Sequence, residues 1–200
     1  ESCARKQRYT ILNNIAKKYS YQFILTAHHE DDQLETMYMK KIDGGDWISQ
    51  IGIRERMAKL RRPFLKISKK EINEYAKDNN ICWIEDPTNK DITIRRNNIR
   101  HKQLPIAYRA DSRLKYSLLN IADRNMVKLQ HITKTLKQEQ GSVIKDYSKD
   151  YILINRNKLM NYNVEKLKLF LYTSIAKLLK FEFIQQSGGL WREFKNFIKK

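Results

Sequence analysis

Apolar residues recur at near-helical spacing from the start of the chain, through Ala4, Leu12, Ile15, Ala16 and Tyr19. This predicts a helix over 2–19. Tyr21 to Thr26 is a short apolar and aromatic run that reads as a buried strand. The helical pattern returns over 31–41 with Leu34, Met37, Tyr38 and Ile42, until Asp43-Gly44-Gly45-Asp46 breaks it. Ser68 followed by Glu71 is a capping-box signature and opens a helix over 69–79. Asn79-Asn80 stops it, and Ile81 to Ile84 reads as a second strand before a turn at Glu85-Asp86-Pro87-Thr88-Asn89. Strand–helix–strand alternation of this kind implies an α/β unit with a parallel sheet.

The pattern changes near Pro105. Residues 112–139 carry one long apolar stripe, Leu118, Ile121, Ala122, Met126, Leu129, Ile132 and Leu136. Val143 to Tyr147 and Tyr151 to Ile154 flank Ser148-Lys149-Asp150 as a hairpin. Helices over 163–180 and 190–199 follow. The stripes Leu167, Phe170, Leu171, Leu178 and Trp191, Phe194, Phe197 space as core faces rather than base-stacking platforms. The expected division is an α/β part over 1–105 and a mostly helical part over 106–200. Two clear strands are few for a sheet covered on both faces, and the first residues already read as helix. A neighbouring N-terminal segment is therefore expected outside this sequence.

Charge adds the first hint of a partner. The 200 residues hold 40 Lys plus Arg against 22 Asp plus Glu, a net +18. Residues 106–200 are the more one-sided part and are expected to face RNA, since a polyanion relieves such self-repulsion. Lys115, Arg124, Lys128 and Lys134 can track phosphates there, and a solvated face explains them equally. A Lys-rich genome composition accounts for part of the charge. Cys3 and Cys82 are far apart and form no ligand pair or disulfide framework. No run reaches the roughly 18–20 apolar residues of a membrane span. A cytoplasmic protein is the expectation; the sequence does not give its oligomeric state.

The chemistry concentrates in Thr26-Ala27-His28-His29-Glu30-Asp31-Asp32-Gln33-Leu34-Glu35-Thr36, at a strand end and helix start. Ligands of open α/β sheets bind beyond the carboxyl ends of strands. First-turn carboxylates suit a helix dipole, which covers Asp31 well. It does not explain a His-His pair before two adjacent carboxylates. Asp32 and Glu35 share a helix face and can hold Mg2+ or an ammonium group.

This segment resembles the H-x-x-D-D-x-x-E-T signature of PP-loop ATP pyrophosphatases that act on tRNA. Glu1, Ala4, Arg5, Arg8 and Tyr9, then Arg62-Pro63-Phe64-Leu65, then Glu85-Asp86-Pro87-Thr88-Asn89 with Arg96-Asn97-x-Ile99-Arg100-His101-x-x-Leu104-Pro105 are similar to segments of tRNA(Ile)-lysidine synthetases, in the same order. The resemblance covers about residues 1–105. It implies a partial parallel-sheet PP-loop domain, of the adenine-nucleotide α-hydrolase type, followed by a helical tRNA-facing domain. It implies ATP and Mg2+ as cofactors, and tRNA(Ile) with a CAU anticodon and free L-lysine as partners. In the implied reaction the C2 oxygen of the wobble cytidine is adenylated, and the lysine side-chain amine then displaces AMP.

The resemblance also assigns roles. His28, Asp31, Asp32, Arg96 and Arg100 are the implied catalytic set, with Asp32 as the Mg2+ ligand or ammonium partner. Arg5, Arg8, Glu35 and Asn97 are implied to bind substrate. Arg5 reads equally as a solvated charge and Arg100 as a surface charge; Arg61-Arg62 can contact RNA backbone, though a basic loop is usually just solvated. The family's S-G-G-x-D-S phosphate loop is absent. Ser187-Gly188-Gly189 lacks its Asp-Ser and reads as a capping turn. The isolated polypeptide, a truncated or split product, is thus expected not to bind ATP productively. The alternatives are a tRNA-thiolating PP-loop enzyme and a non-catalytic basic RNA-binding fragment.

Overall fold

A computed structural model describes residues 2–148 and 151–178. The helix expected over 190–199, the Ser187-Gly188-Gly189 turn, Lys149, Asp150 and the side chain of Leu178 lie outside the described residues. Two compact units are present, Glu1–Met126 and Val127–Lys200, where composition placed the change at 105.

In the first unit, helix α1 (Ser2–Lys18) leads into strand β1 (Ile24–Leu25) and helix α2 (Glu30–Ile42). Strand β2 (Arg56–Met57) turns back into β3 (Leu60–Arg61). β3 is central: it pairs in parallel with β1, Ile24 opposite Leu60 and Leu25 opposite Arg61, and antiparallel with β2. Ala16, Ile24 and Leu60 are buried together, with Tyr9 and Leu12 packed on them. α1 therefore covers the sheet through Tyr9, Leu12 and Ala16, while Ala4, Ile15 and Tyr19 of the stripe read from its sequence stay exposed.

Helix α3 (Lys69–Asp78) starts at the expected capping box: Ser68 Oγ accepts from the Glu71 N–H at 3.2 Å, and Glu71 Oε2 accepts from the Ser68 N–H at 2.8 Å. Asn80 (φ 53°) adopts the left-handed conformation that ends it, and Ile81 N–H closes on Ala76 O at 2.8 Å. The strand expected at Ile81 to Ile84 does not form. The segment is irregular, finds no partner strand among the described residues, and leaves Ile84 98% exposed. A four-residue apolar run becomes a strand only where a neighbour completes its hydrogen bonds; β1 instead takes β3, a pairing the sequence pattern did not indicate.

Helices α4 (Arg95–Asn98) and α5 (Leu104–Ala110) are joined by one π-helical turn, Ile99–Gln103. Pro105 has no N–H to give the preceding turn, and a wide turn before it is one way to accommodate that. Helix α6 (Leu114–Val143) follows and contains the boundary between the units. Its Leu114, Leu118 and Ala122 are buried against Leu34 and Met37 of α2, which assigns the start of α6 to the first unit.

In the second unit, β4 (Ile144–Tyr147) and β5 (Ile152–Ile154) form the expected antiparallel hairpin. Helices α7 (Arg156–Met160) and α8 (Val164–Leu178) follow. Leu136, Val143, Leu159, Leu169, Phe170 and Leu171 are buried. No helix among the described residues is long and apolar enough to cross a membrane.

Candidate active site

The chain leaves β1 through Thr26-Ala27-His28-His29 and enters α2 at Glu30, so the histidines and carboxylates sit beyond a strand's carboxyl end. Asp32 Oδ2 accepts from the His29 N–H at 3.0 Å and closes the first turn. His28 Nδ1 lies 2.9 Å from Thr26 Oγ1, which fixes the ring against the strand tip.

Glu35, one turn further along α2, is 1% exposed. Burying a lone carboxylate there is prohibitive, and two arginines compensate it. Arg96 Nε donates to Glu35 Oε2 at 2.6 Å; Arg100 donates from Nε to Oε1 at 2.5 Å and from Nη2 to Oε2 at 3.1 Å. Arg96 Nη2 also reaches Asp32 Oδ1 at 3.0 Å, and Arg100 Nη2 lies 3.7 Å from the same oxygen. The four-residue spacing of Arg96 and Arg100, carried across α4 and the π-helical turn, presents both guanidiniums to one face of α2. The Glu35 hydrogen bond, offset in part by burial, holds the Arg100 guanidinium more basic than usual.

The structure thus brings Asp32, Glu35, Arg96 and Arg100 into one network, with His28 beside it. Burial lowers the His28 pKa first; the positive charge of Arg62 adds to this, then Asp32 opposes it, while Arg5 and Arg96 lower it further. A neutral imidazole follows, able to accept a proton.

Other expected residues are placed differently. Asp31 Oδ2 accepts from the Lys69 N–H at 2.7 Å and so caps the start of α3. Asn97 is buried, and its amide donates to Thr88 O at 2.8 Å and Asp91 O at 2.9 Å. It braces the 88–91 turn instead of presenting a donor to a ligand. Arg5 is exposed on α1, its guanidinium 5.1 Å from the Tyr9 ring, and Arg8 is exposed as well. Lys115 pairs with Glu30 at 2.5 Å in the first unit and Lys128 with Glu165 at 2.7 Å in the second.

Two residues have roles that the sequence did not indicate. Gln33 is buried and clamps the 51–53 loop, donating to Ile51 O at 2.8 Å and accepting from the Ile53 N–H at 2.6 Å. Arg62, read as part of a solvated basic loop, is 2% exposed. Only its place just after the strand β3, before Pro63, signalled this.

A cavity of about 280 Å3 is lined by His29, Asp31, Glu35, Lys69, Arg100 and Tyr108 among others. Burial, with Asp31, Glu30 and Glu35 adding negative charge, pushes the Tyr108 hydroxyl up to about 12, so it stays a protonated donor.

No group of three or more His, Cys, Asp or Glu side chains among the described residues is arranged for an ion; Asp32 accepts from Arg96 and the His29 N–H and keeps lone pairs beyond these. The described glycines, Gly44, Gly45, Gly52 and Gly141, do not lead from a strand into a helix start, so no pyrophosphate cradle is built from them.

The PP-loop domain family matches residues 1–107. The chain is 40% identical over 106 residues to a tRNA(Ile)-lysidine synthase of Treponema denticola, covering 53% of this chain and 23% of that protein. It is 35% identical over 150 residues to one of Francisella tularensis subsp. novicida, covering 73% and 38%. It is 31% identical over 193 residues to one of Thermosipho africanus, covering 89% and 45%. The chain spans less than half the length of these curated relatives.

Proposed function

The chain belongs to the PP-loop domain family, whose members use ATP, and from that membership we propose that it forms part of an enzyme joining free L-lysine to C2 of the wobble cytidine in tRNA(Ile) with a CAU anticodon. The observation that carries this reading is the Asp32–Glu35–Arg96–Arg100 network beside a neutral His28 at the tip of β1. The proteins it matches are named tRNA(Ile)-lysidine synthases, and the net charge of +18 suits an RNA substrate.

ATP would supply the adenylyl group that turns a poor leaving oxygen into a good one. The chain's own residues do the positioning. Asp32 retains lone pairs beyond its two existing contacts and orients the lysine side-chain ammonium. That amine is charged at its ordinary pKa of about 10.4 and must lose a proton before it attacks. His28, neutral and half-buried, accepts it. Arg96 and Arg100 are pinned by Glu35, and their remaining N–H groups face the nucleotide, where they stabilise charge leaving C2. Arg5, on the neighbouring helix, supplies a further cation near His28, and Arg8 extends that basic face. Mg2+ would accompany the ATP phosphates, and Asp32 is the carboxylate of this chain that could contact it. A cytoplasmic setting follows from this substrate.

The test uses the protein at the full length its gene encodes. Purified enzyme with tRNA(Ile), labelled lysine and ATP should place label in the tRNA, and omission of ATP should abolish it. Label-free tRNA under complete conditions would refute the assignment.

A further inference from the structure

Arg62 is a cation without a carboxylate. It is 2% exposed, and among the described residues no acidic side chain lies within ion-pair distance of it. Its one side-chain hydrogen bond runs from Nη1 to Arg54 O at 2.6 Å. Nε is fully buried with no partner. The remaining nitrogen, Nη2, has no hydrogen bond and is not among the fully buried atoms. A guanidinium held this way loses its hydration and recovers little, and such groups persist where an anion completes them. Arg54 repeats the pattern: it is half-buried, has no acidic partner among the described residues, and burial lowers its pKa.

The placement of Arg62 is built. Thr26 N–H bonds Arg61 O at 3.0 Å, so Arg62 follows at the carboxyl end of β3 beside the carboxyl end of β1. Its backbone N–H bonds Glu55 O at 3.0 Å. The Arg54 carbonyl that grips its side chain belongs to the loop that Gln33 clamps to α2. His28, held by Thr26, is the ring on which the Arg62 charge acts more strongly than any other. Asp32, the carboxylate that acts on His28, and Glu35 one turn further along α2 are already paired with Arg96 and Arg100. What remains at the paired strand tips is an excess of positive charge with unused donors.

We propose that Arg62, beside His28, forms an oxyanion subsite at the joined carboxyl ends of β1 and β3, taking one phosphate or carboxylate group of a substrate through Arg62 Nη2. The group comes either from a phosphate of the nucleic acid or from the carboxylate of the amino acid. The subsite stands on geometry; the lysine-transfer reading contributes only the choice of probes.

The test follows the Arg62 Nε–Hε resonance of the uniformly 15N-labelled wild-type protein, assigned by its loss in Arg62→Met. Inorganic phosphate, L-lysine and lysinamide are titrated against chloride of matched ionic strength. A saturable shift with phosphate alone assigns the site to a phosphate; a shift with L-lysine but not lysinamide assigns it to the amino-acid carboxylate. Arg62→Met should weaken the effective probe roughly ten- to a hundredfold, the loss of one charge-assisted contact. If Arg62→Met does not fold, Arg62→Lys supplies the assignment and the wild-type titration decides. A resonance unmoved by both phosphate and L-lysine overturns the proposal. A shift without any lysine transfer to tRNA would keep the subsite and remove the functional reading.

Discussion

Glu35→Ala removes the anion around which the site is assembled. In the wild type the carboxylate is 1% exposed and receives three hydrogen bonds from Arg96 and Arg100, between 2.5 and 3.1 Å. Deleting it strands two guanidiniums. Breaking a fully buried pair costs about 3–5 kcal/mol. The arginine side chains are 26% and 25% exposed and regain some hydration, which places the expected loss at the lower end, about 3 kcal/mol. For a chain of this size that is a fall in melting temperature on the order of 10 °C. Urea unfolding should show a lower midpoint with an unchanged slope. The double variant Glu35→Ala with Arg96→Ala should lose less than the sum of the single changes, because one of the two stranded charges is gone. A loss below about 1 kcal/mol, or simple additivity, would mean the network behaves like surface ion pairs and does not organise the site.

Three further outcomes follow from local geometry. Gly52 has φ 69°, and a Cβ there would lie 2.6 Å from Gln33 Oε1; Gly52→Ala should cost about 1–3 kcal/mol in thermal unfolding, and an unchanged melt would refute the Gln33 clamp. Ser68→Ala removes the α3 cap and should cost about 1 kcal/mol, read by urea unfolding, with wild-type stability as the contrary result. His28 has a folded pKa below the unfolded value of about 6.5; the unfolded state therefore binds the proton first, and stability is full above that pH and falls as pH drops towards the folded pKa. His28→Gln should flatten this slope in melts taken from pH 7.5 downward, and an unaltered slope would show that the ring is not held neutral.

The sequence carried the helices well where an amphipathic stripe met a clear stop, as at α1, α2 and α3, and it carried the Ser68–Glu71 cap. It marked Thr26–Thr36 as the candidate for chemistry because histidines and carboxylates after an apolar run are hard to explain as packing. It misplaced the second strand: Ile81 to Ile84 is apolar, yet strands exist by pairing, and pairing is nonlocal. The true partner of β1, Leu60–Arg61, is two residues long and half basic, so no period marks it. Arg62 was hidden for the same reason, since burial of a charge depends on neighbours distant in sequence. Asn97 looked available because its identity shows an amide without showing that the turn at 88–91 already consumes it.

Asp32 is proposed to orient an amine beside Arg96 and Arg100. The most direct measurement is single-turnover transfer of labelled lysine to tRNA(Ile) by the full-length Asp32→Asn enzyme, a change that keeps the shape and removes the charge. The expected result is a rate lowered by about two to three orders of magnitude, with a melting temperature within a few degrees of wild type. Transfer at the wild-type rate would contradict it.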